Sequence, residues 1–236
     1  TRDHTERVLE LAGVPVVREG LAVTVGRGVP CGFTMEVPGD FSSAAFFIAG
    51  ALMRPGSELT VRSVGLNPTR TAFLDIVKRM GADVEWTVRN PGIPGEPVGD
   101  ITVRYGELKG IELSPSDVAR SIDEVPLVAM LATSARGRTI IRGAGELRMK
   151  ESDRIRGTVE GLAAMGARVE ETPDGMSIEG PACLSGARVS AKRDHRLAML
   201  FALAGMSAGG ETVVEGWEWT AVSYPEFADE LARLAR

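Results

Sequence analysis

The chain carries an internal repeat, and a repeat constrains a fold more than any single motif, because each copy must bury its apolar face against its neighbours. The spacing from Thr1-Arg2 to Gly13 recurs from Thr69-Arg70 to Gly81. Between these marks, apolar residues fall at helical intervals: Val8, Leu9 and Leu11 in the first copy, Ile76, Val77 and Met80 in the second. A third copy runs from Glu151-Ser152-Asp153-Arg154 through Leu162 and Met165 to Gly166, and a fourth from Ser223-Tyr224-Pro225 through Phe227, Leu231 and Leu234. Cap-forming residues open each copy, and the first three close on glycine, where a helix end favours a residue of positive φ. The pattern predicts four amphipathic helices.

A different helix precedes each of the later three. Ala44 to Met53 follows Asp40-Phe41-Ser42-Ser43, Val125 to Ala132 follows Ser121-Ile122-Asp123-Glu124, and Leu197 to Ala208 follows Asp194-His195-Arg196. These runs are apolar on nearly every side, which predicts buried helices. A glycine-bearing turn and a β-branched strand come after each: Leu59-Thr60-Val61, Thr139-Ile140-Ile141 and Thr212-Val213-Val214. The expected unit is therefore strand, buried helix, strand, amphipathic helix, then strand or hairpin. Three such β-α-β-α-β-β units are expected over residues 34–105, 106–180 and 181–236. Residues 1–33 hold one amphipathic helix and a hairpin around Glu19-Gly20, and read as the end of a unit whose beginning is missing. The stretch Asn90 to Asp100, rich in proline and glycine, reads as a loop within the first unit.

Composition agrees. The 28 glycines among 236 residues suit a chain of many tight turns. The formal charge is −5, with no basic tract or aromatic-interleaved arginine stripe, which argues against a general nucleic-acid binder. No apolar run approaches the roughly 18 residues of a membrane helix. Cys31 and Cys183 are too far apart for a Cys-x-x-Cys metal site or a disulfide framework. Both are expected to be buried thiols, and a soluble, cytoplasmic protein is expected. The first residue is Thr1, within a helix-starting phrase, so a piece of something longer is expected.

Buried helices arranged by repeat would point their N-termini the same way. Each N-terminus carries free N–H groups and roughly half a positive charge, so convergent starts make an anion site. The residues there are Asp123-Glu124, Asp194-His195-Arg196 and Lys150-Glu151-Ser152-Asp153-Arg154. Asp40, Ser42 and Ser43 read as plain caps. Lys150 and Arg154 are different, since cations at a helix start oppose the macrodipole. Arg196, Arg2 and Arg70 break the same rule. An anionic ligand would compensate, although pairing with Asp40, Asp123, Asp153 or Asp194 would too. With only two histidines and no clustered carboxylates, no metal site is expected.

Six phrases in order along the chain resemble the 5-enolpyruvylshikimate-3-phosphate synthase family: Thr1-Arg2-Asp3-His4-Thr5-Glu6, Pro38-Gly39-Asp40-Phe41-Ser42-Ser43-Ala44, Asn67-Pro68-Thr69-Arg70, Ile122-Asp123-Glu124-Val125-Pro126, Lys150-Glu151-Ser152-Asp153-Arg154 and Asp194-His195-Arg196-Leu197-Ala198-Met199. The resemblance implies an α/β (α+β) fold of two similar domains. Each domain is an α-β prism of three β-α-β-α-β-β units, with helix N-termini facing an interdomain cleft. Residues 1–33 then correspond to the tail of an N-terminal domain and 34–236 to the C-terminal domain. The family's early Lys-Ser and Arg residues and its Asn-x-Gly-Thr loop have no counterpart here. The missing N-terminal domain is thus an expected partner, and the full-length protein an expected monomer.

The implied reaction moves the enolpyruvyl group of phosphoenolpyruvate to the 5-hydroxyl of shikimate 3-phosphate and releases phosphate, without metal or organic cofactor. By family position Asp123 deprotonates the 5-hydroxyl, Glu151 is the acid near the methylene, and Lys150 binds shikimate 3-phosphate and faces the reacting oxygen. Arg154 and Arg196 resemble the phosphoenolpyruvate clamp, His195 its support, and Arg2 a shikimate-phosphate contact. Two positions depart from the pattern. Val222 stands where many relatives carry Lys, and Glu146 where some carry Asn. The competing readings are the related transferase acting on UDP-N-acetylglucosamine, and a truncated domain without turnover.

Overall fold

A computed structural model describes residues 2–89 and 95–234, so Thr1 and residues 90–94 of the expected Asn90–Asp100 loop lie outside the described residues, while Val98 to Asp100 belong to a strand and not to that loop. Helix α1 (His4–Leu11) leads into the hairpin β1 (Val16–Glu19) and β2 (Ala22–Val25), paired from Val16↔Val25 to Glu19↔Ala22 around Gly20 as expected. The first unit follows as α2 (Phe41–Met53), β3 (Glu58–Gly65), α3 (Ala72–Arg79), β4 (Asp83–Val88) and β5 (Val98–Arg104). The second comprises β6 (Glu112–Leu113), α4 (Pro115–Arg120), α5 (Val125–Ala132), β7 (Gly137–Ile141), α6 (Arg154–Ala164), β8 (Arg168–Thr172) and β9 (Gly175–Gly180), with a short 3-10 helix at Gly145–Met149. The third has β10 (Arg188–Ser190), α7 (His195–Met206), β11 (Val213–Glu215), a 3-10 turn at Trp217–Val222 and α8 (Phe227–Leu234).

Both helix families form where periodicity placed them. Gly13, Gly81 and Gly166 close their helices at φ of 80°, 95° and 88°, the left-handed conformation that glycine adopts without a Cβ penalty. Every residue of α5 is buried, and α2, α5 and α7 each touch the other two, forming the centre of the core. Burying one Leu, Val or Phe side chain contributes roughly 1.5–3 kcal/mol, so this three-helix contact stabilises the fold strongly.

The sheets wrap that centre, in the orders β3-β5-β4, β6-β7-β9-β8 and β10-β11. The strands flanking α5 and α7 pair in parallel, β6 with β7 and β10 with β11. In the first unit the expected opening strand shrinks to one parallel bridge, Gly39↔Val64. Pro38 explains this, because it has no N–H to give a ladder. The closing strand or hairpin expected of the third unit is not among the described residues. Helix α4 was not expected, yet Ser114-Pro115-Ser116-Asp117 is a capping box: Ser114 Oγ accepts from the Asp117 N–H at 3.2 Å and Asp117 Oδ2 from the Ser114 N–H at 3.0 Å.

Two glycines set the height of α6. A Cβ at Gly157 would run into Leu197, and one at Gly161 into the Phe201 ring. Gly157 and Gly161 are one turn apart on α6, and so are Leu197 and Phe201 on α7, so α6 lies close against α7 and its start meets the start of α7. Cys31 and Cys183 correct the expectation of buried thiols: both are exposed. Each lies in an irregular segment rather than on an apolar helix face, so no element folds over it.

Candidate active site

The starts of α2, α5, α6 and α7 are joined by side-chain contacts, as a common direction of the buried helices requires. Asp194 caps α7 by accepting from the Arg196 N–H at 2.9 Å. The same carboxylate accepts from Arg154 Nε at 2.7 Å, Arg154 Nη2 at 3.3 Å and Ser152 Oγ at 3.0 Å. Arg154 is 1% exposed and Asp194 fully buried. Burial works against the Asp194 carboxylate, yet the hydrogen bonds and charge of Arg154 and the Arg196 N–H hold its pKa below the usual range. The cation at the start of α6 is thus compensated from inside the protein, which meets the pairing alternative for this residue. Arg154 Nη2 also pairs with Glu151, which is half-exposed, and Nη1 stands 3.6 Å from Asp123 Oδ1.

Asp123, just before α5, is the hub. Its Oδ2 faces Arg2 Nη2 at 3.6 Å and Arg70 Nη1 at 3.9 Å. Arg2 is anchored by donating to the Thr69 carbonyl at 2.5 Å. Arg70 Nη2 donates to Ser42 Oγ at 2.7 Å and lies 3.4 Å from Asp40. Burial lowers the Arg2 pKa, and the like charge of Arg70 lowers it further. Arg196 forms no ion pair among the described residues. The structure therefore gathers Arg2, Asp123, Glu151, Arg154 and Arg196, all singled out in the sequence, at one end of the helical core.

His195 lies beside Arg196 on a cleft of about 250 Å³ lined by Asp40, Ser42, Ser43, Phe46, Met199 and Ser223. Burial and then the Arg196 charge push its pKa down, favouring neutral imidazole at pH 7. Lys150 is less central: its Nζ donates to Glu146 Oε1 at 2.6 Å, so the acid at that position holds this lysine. Val222 is exposed at the end of its 3-10 turn.

Sequence reasoning missed two residues. Asp40 is a cap, accepting from the Ser43 N–H at 2.7 Å as well as pairing with Arg70, but Ser42 is not one. It is buried, and its Oγ donates to Glu124 Oε1 at 2.5 Å. Glu124 is 1% exposed, and burial pushes its pKa up despite the arginines nearby. The one signal was its place beside Asp123 on a buried helix.

An arginine-rich hollow at converging helix starts can bind multiply charged anions and hold a carboxylate against them. The fold is shared with the enolpyruvyl transferase NikO from Streptomyces tendae, which superposes with a TM-score of 0.70 over 96% of this chain and 51% of its own, at 19% identity. Another match is closer. EPSP synthase from Acinetobacter baumannii superposes with a TM-score of 0.92 at 41% identity, over 99% of this chain and 54% of its own. The 3-phosphoshikimate 1-carboxyvinyltransferase of Anaeromyxobacter sp. strain K is 50% identical over 228 residues, 96% of this chain and 52% of the relative. The family model for EPSP synthase (3-phosphoshikimate 1-carboxyvinyltransferase) matches residues 1–231, and the chain belongs to that family. It spans about half the length of the curated relatives it matches.

Proposed function

We propose that this chain is the C-terminal portion of a synthase that transfers the enolpyruvyl group of phosphoenolpyruvate to the 5-hydroxyl of shikimate 3-phosphate. The observation that carries the proposal is the set Arg2, Arg70 and Arg154 around Asp123, with Arg196 near the adjoining Glu124. Both substrates carry a phosphate and a carboxylate, and forked guanidinium groups suit each of these. In this reading residues 34–236 form the C-terminal domain, 1–33 are the tail of the domain before it, and the cleft is completed by that other domain.

The chemistry distributes as follows. The hydroxyl oxygen bonds to C2 of phosphoenolpyruvate as it loses its proton, while C3 gains one; phosphate then leaves C2 and C3 gives its proton back. Asp123 takes the hydroxyl proton. The arginines on both its oxygens keep it aimed until substrate replaces some of those contacts. Glu151 serves the C3 proton from a half-exposed position, held by Arg154. Arg154, through Nη1, and Arg196 clamp phosphoenolpyruvate, with neutral His195 packing beside Arg196. Arg2 and Lys150 hold shikimate 3-phosphate, the lysine by leaving Glu146. The names of the curated relatives favour this acceptor over UDP-N-acetylglucosamine.

The test is Asp123→Ala in the full-length protein, followed by phosphate release. The proposal expects kcat to fall at least about a hundredfold, within the usual span for a general base, with KM changing far less. Equal losses in both would make Asp123 a binding residue only.

A further inference from the structure

One buried acid has no task in the scheme above. Glu124 follows Asp123 at the start of α5, is 1% exposed, and its Oε2 has no hydrogen-bond partner among the described residues. Its other oxygen, Oε1, accepts from Ser42 Oγ at 2.5 Å. A hydroxyl has a single proton. With that proton committed to Glu124, Ser42 presents its lone pairs elsewhere, and Arg70 Nη2 donates to them at 2.7 Å. The other end of the same guanidinium lies 3.9 Å from Asp123 Oδ2, the oxygen that Arg2 faces at 3.6 Å. Three segments distant in sequence thereby form one relay: the start of α2, the turn before α3 and the start of α5.

We propose that Glu124 is a positioning residue: by accepting from Ser42 it fixes Arg70, and Arg70 together with Arg2 fixes the direction of the Asp123 carboxylate. The inference rests on the reading of Asp123 as the group that takes the hydroxyl proton. No arginine reaches Glu124 within ion-pair distance among the described residues, so what the relay uses is the reach of Oε1 to Ser42 and not a countercharge to the arginines.

Reach and charge can be separated. Glu124→Gln keeps an acceptor oxygen at the same reach and removes the charge. Glu124→Asp keeps the charge and draws the acceptor back by about 1.5 Å, one carbon–carbon bond. Ser42→Ala removes the middle of the relay. In the full-length protein, Glu124→Gln is expected to keep kcat within about threefold, whereas Glu124→Asp and Ser42→Ala lose about tenfold to a hundredfold with KM little changed, as misplacement of a catalytic group by about 1 Å does. The opposite ranking, with Asp active and Gln impaired, would overturn the proposal, and so would three variants equal to wild type.

A second readout does not need turnover. In the 236-residue chain, the ¹⁵N side-chain signals of Arg70 should report a restrained guanidinium in the wild type and Glu124→Gln, and a freely rotating one in Glu124→Asp and Ser42→Ala. Identical Arg70 signals in all four would sink the relay. Should the full-length wild type release no phosphate, the transferase reading fails and the Arg70 signals still decide the relay.

Discussion

Replacing Asp194 by Ala removes the acceptor for two Arg154 nitrogens, for Ser152 Oγ and for the Arg196 N–H. Deleting one partner of a buried ion pair costs about 3–5 kcal/mol, because the other charge is left uncompensated away from water. The lost helix cap alone costs about 1 kcal/mol. These are not independent, since one carboxylate makes all four bonds, so the total expected is about 3–5 kcal/mol and not the sum. In a chain of 236 residues each kcal/mol moves Tm by about 2–4 °C, which puts the fall at about 6–20 °C. Urea unfolding and a thermal scan of this chain at pH 7 measure it. The pair has a second signature. Because the folded-state pKa of Asp194 is depressed, its contribution is present above the unfolded value near 3.8 and lost as pH falls through the folded value. The gap between wild type and variant should therefore close in acid. The double variant Arg154→Met with Asp194→Leu should lose less than the two single changes added together. A loss under about 1 kcal/mol, or additive singles, would refute the claim that this pair locks α6 to α7.

Glu124 should behave in the opposite sense. Its raised folded-state pKa means that wild type loses stability relative to Glu124→Gln as pH rises from the unfolded value near 4.5 toward the folded one; a difference in Tm that stays flat from pH 4 to 8 would contradict the burial argument. Gly161→Ala should cost about 1–3 kcal/mol by driving a methyl group into the Phe201 ring, whereas Gly145→Ala, with open space around it, should be close to neutral; equal thermal shifts would show that α6 does not depend on that close approach.

Local periodicity made most of the architecture legible. Helix starts and stops, the buried character of α2, α5 and α7, and the site's dependence on helix N-termini all follow from residues a few positions apart. The same reasoning singled out Arg2, Arg154 and Arg196, because cations at a helix start break a local rule, and Asp123 as an acid at the start of a buried helix. What stayed hidden were pairings across long sequence separations. Nothing near Ser42 distinguishes it from a cap; its partner Glu124 is 82 residues away. Arg154 finds Asp194 at a separation of 40, and only the folded contact of Gly157 and Gly161 with α7 brings the two together. The first strand of the first unit vanished for a local reason, Pro38, that was available and outweighed by the repeat. The cysteines were misplaced because a general tendency of thiols to be buried says nothing about a particular loop.

The central claim is that these helix starts form half of a cleft for two anionic substrates. Phosphate release by the full-length protein, with phosphoenolpyruvate and each candidate acceptor in turn, tests it most directly. The account predicts turnover of at least about 1 s⁻¹ with shikimate 3-phosphate, within the usual enzyme range, and essentially none from the 236-residue chain alone. No release from the full-length protein, comparable release with UDP-N-acetylglucosamine, or full turnover by the isolated chain would contradict it.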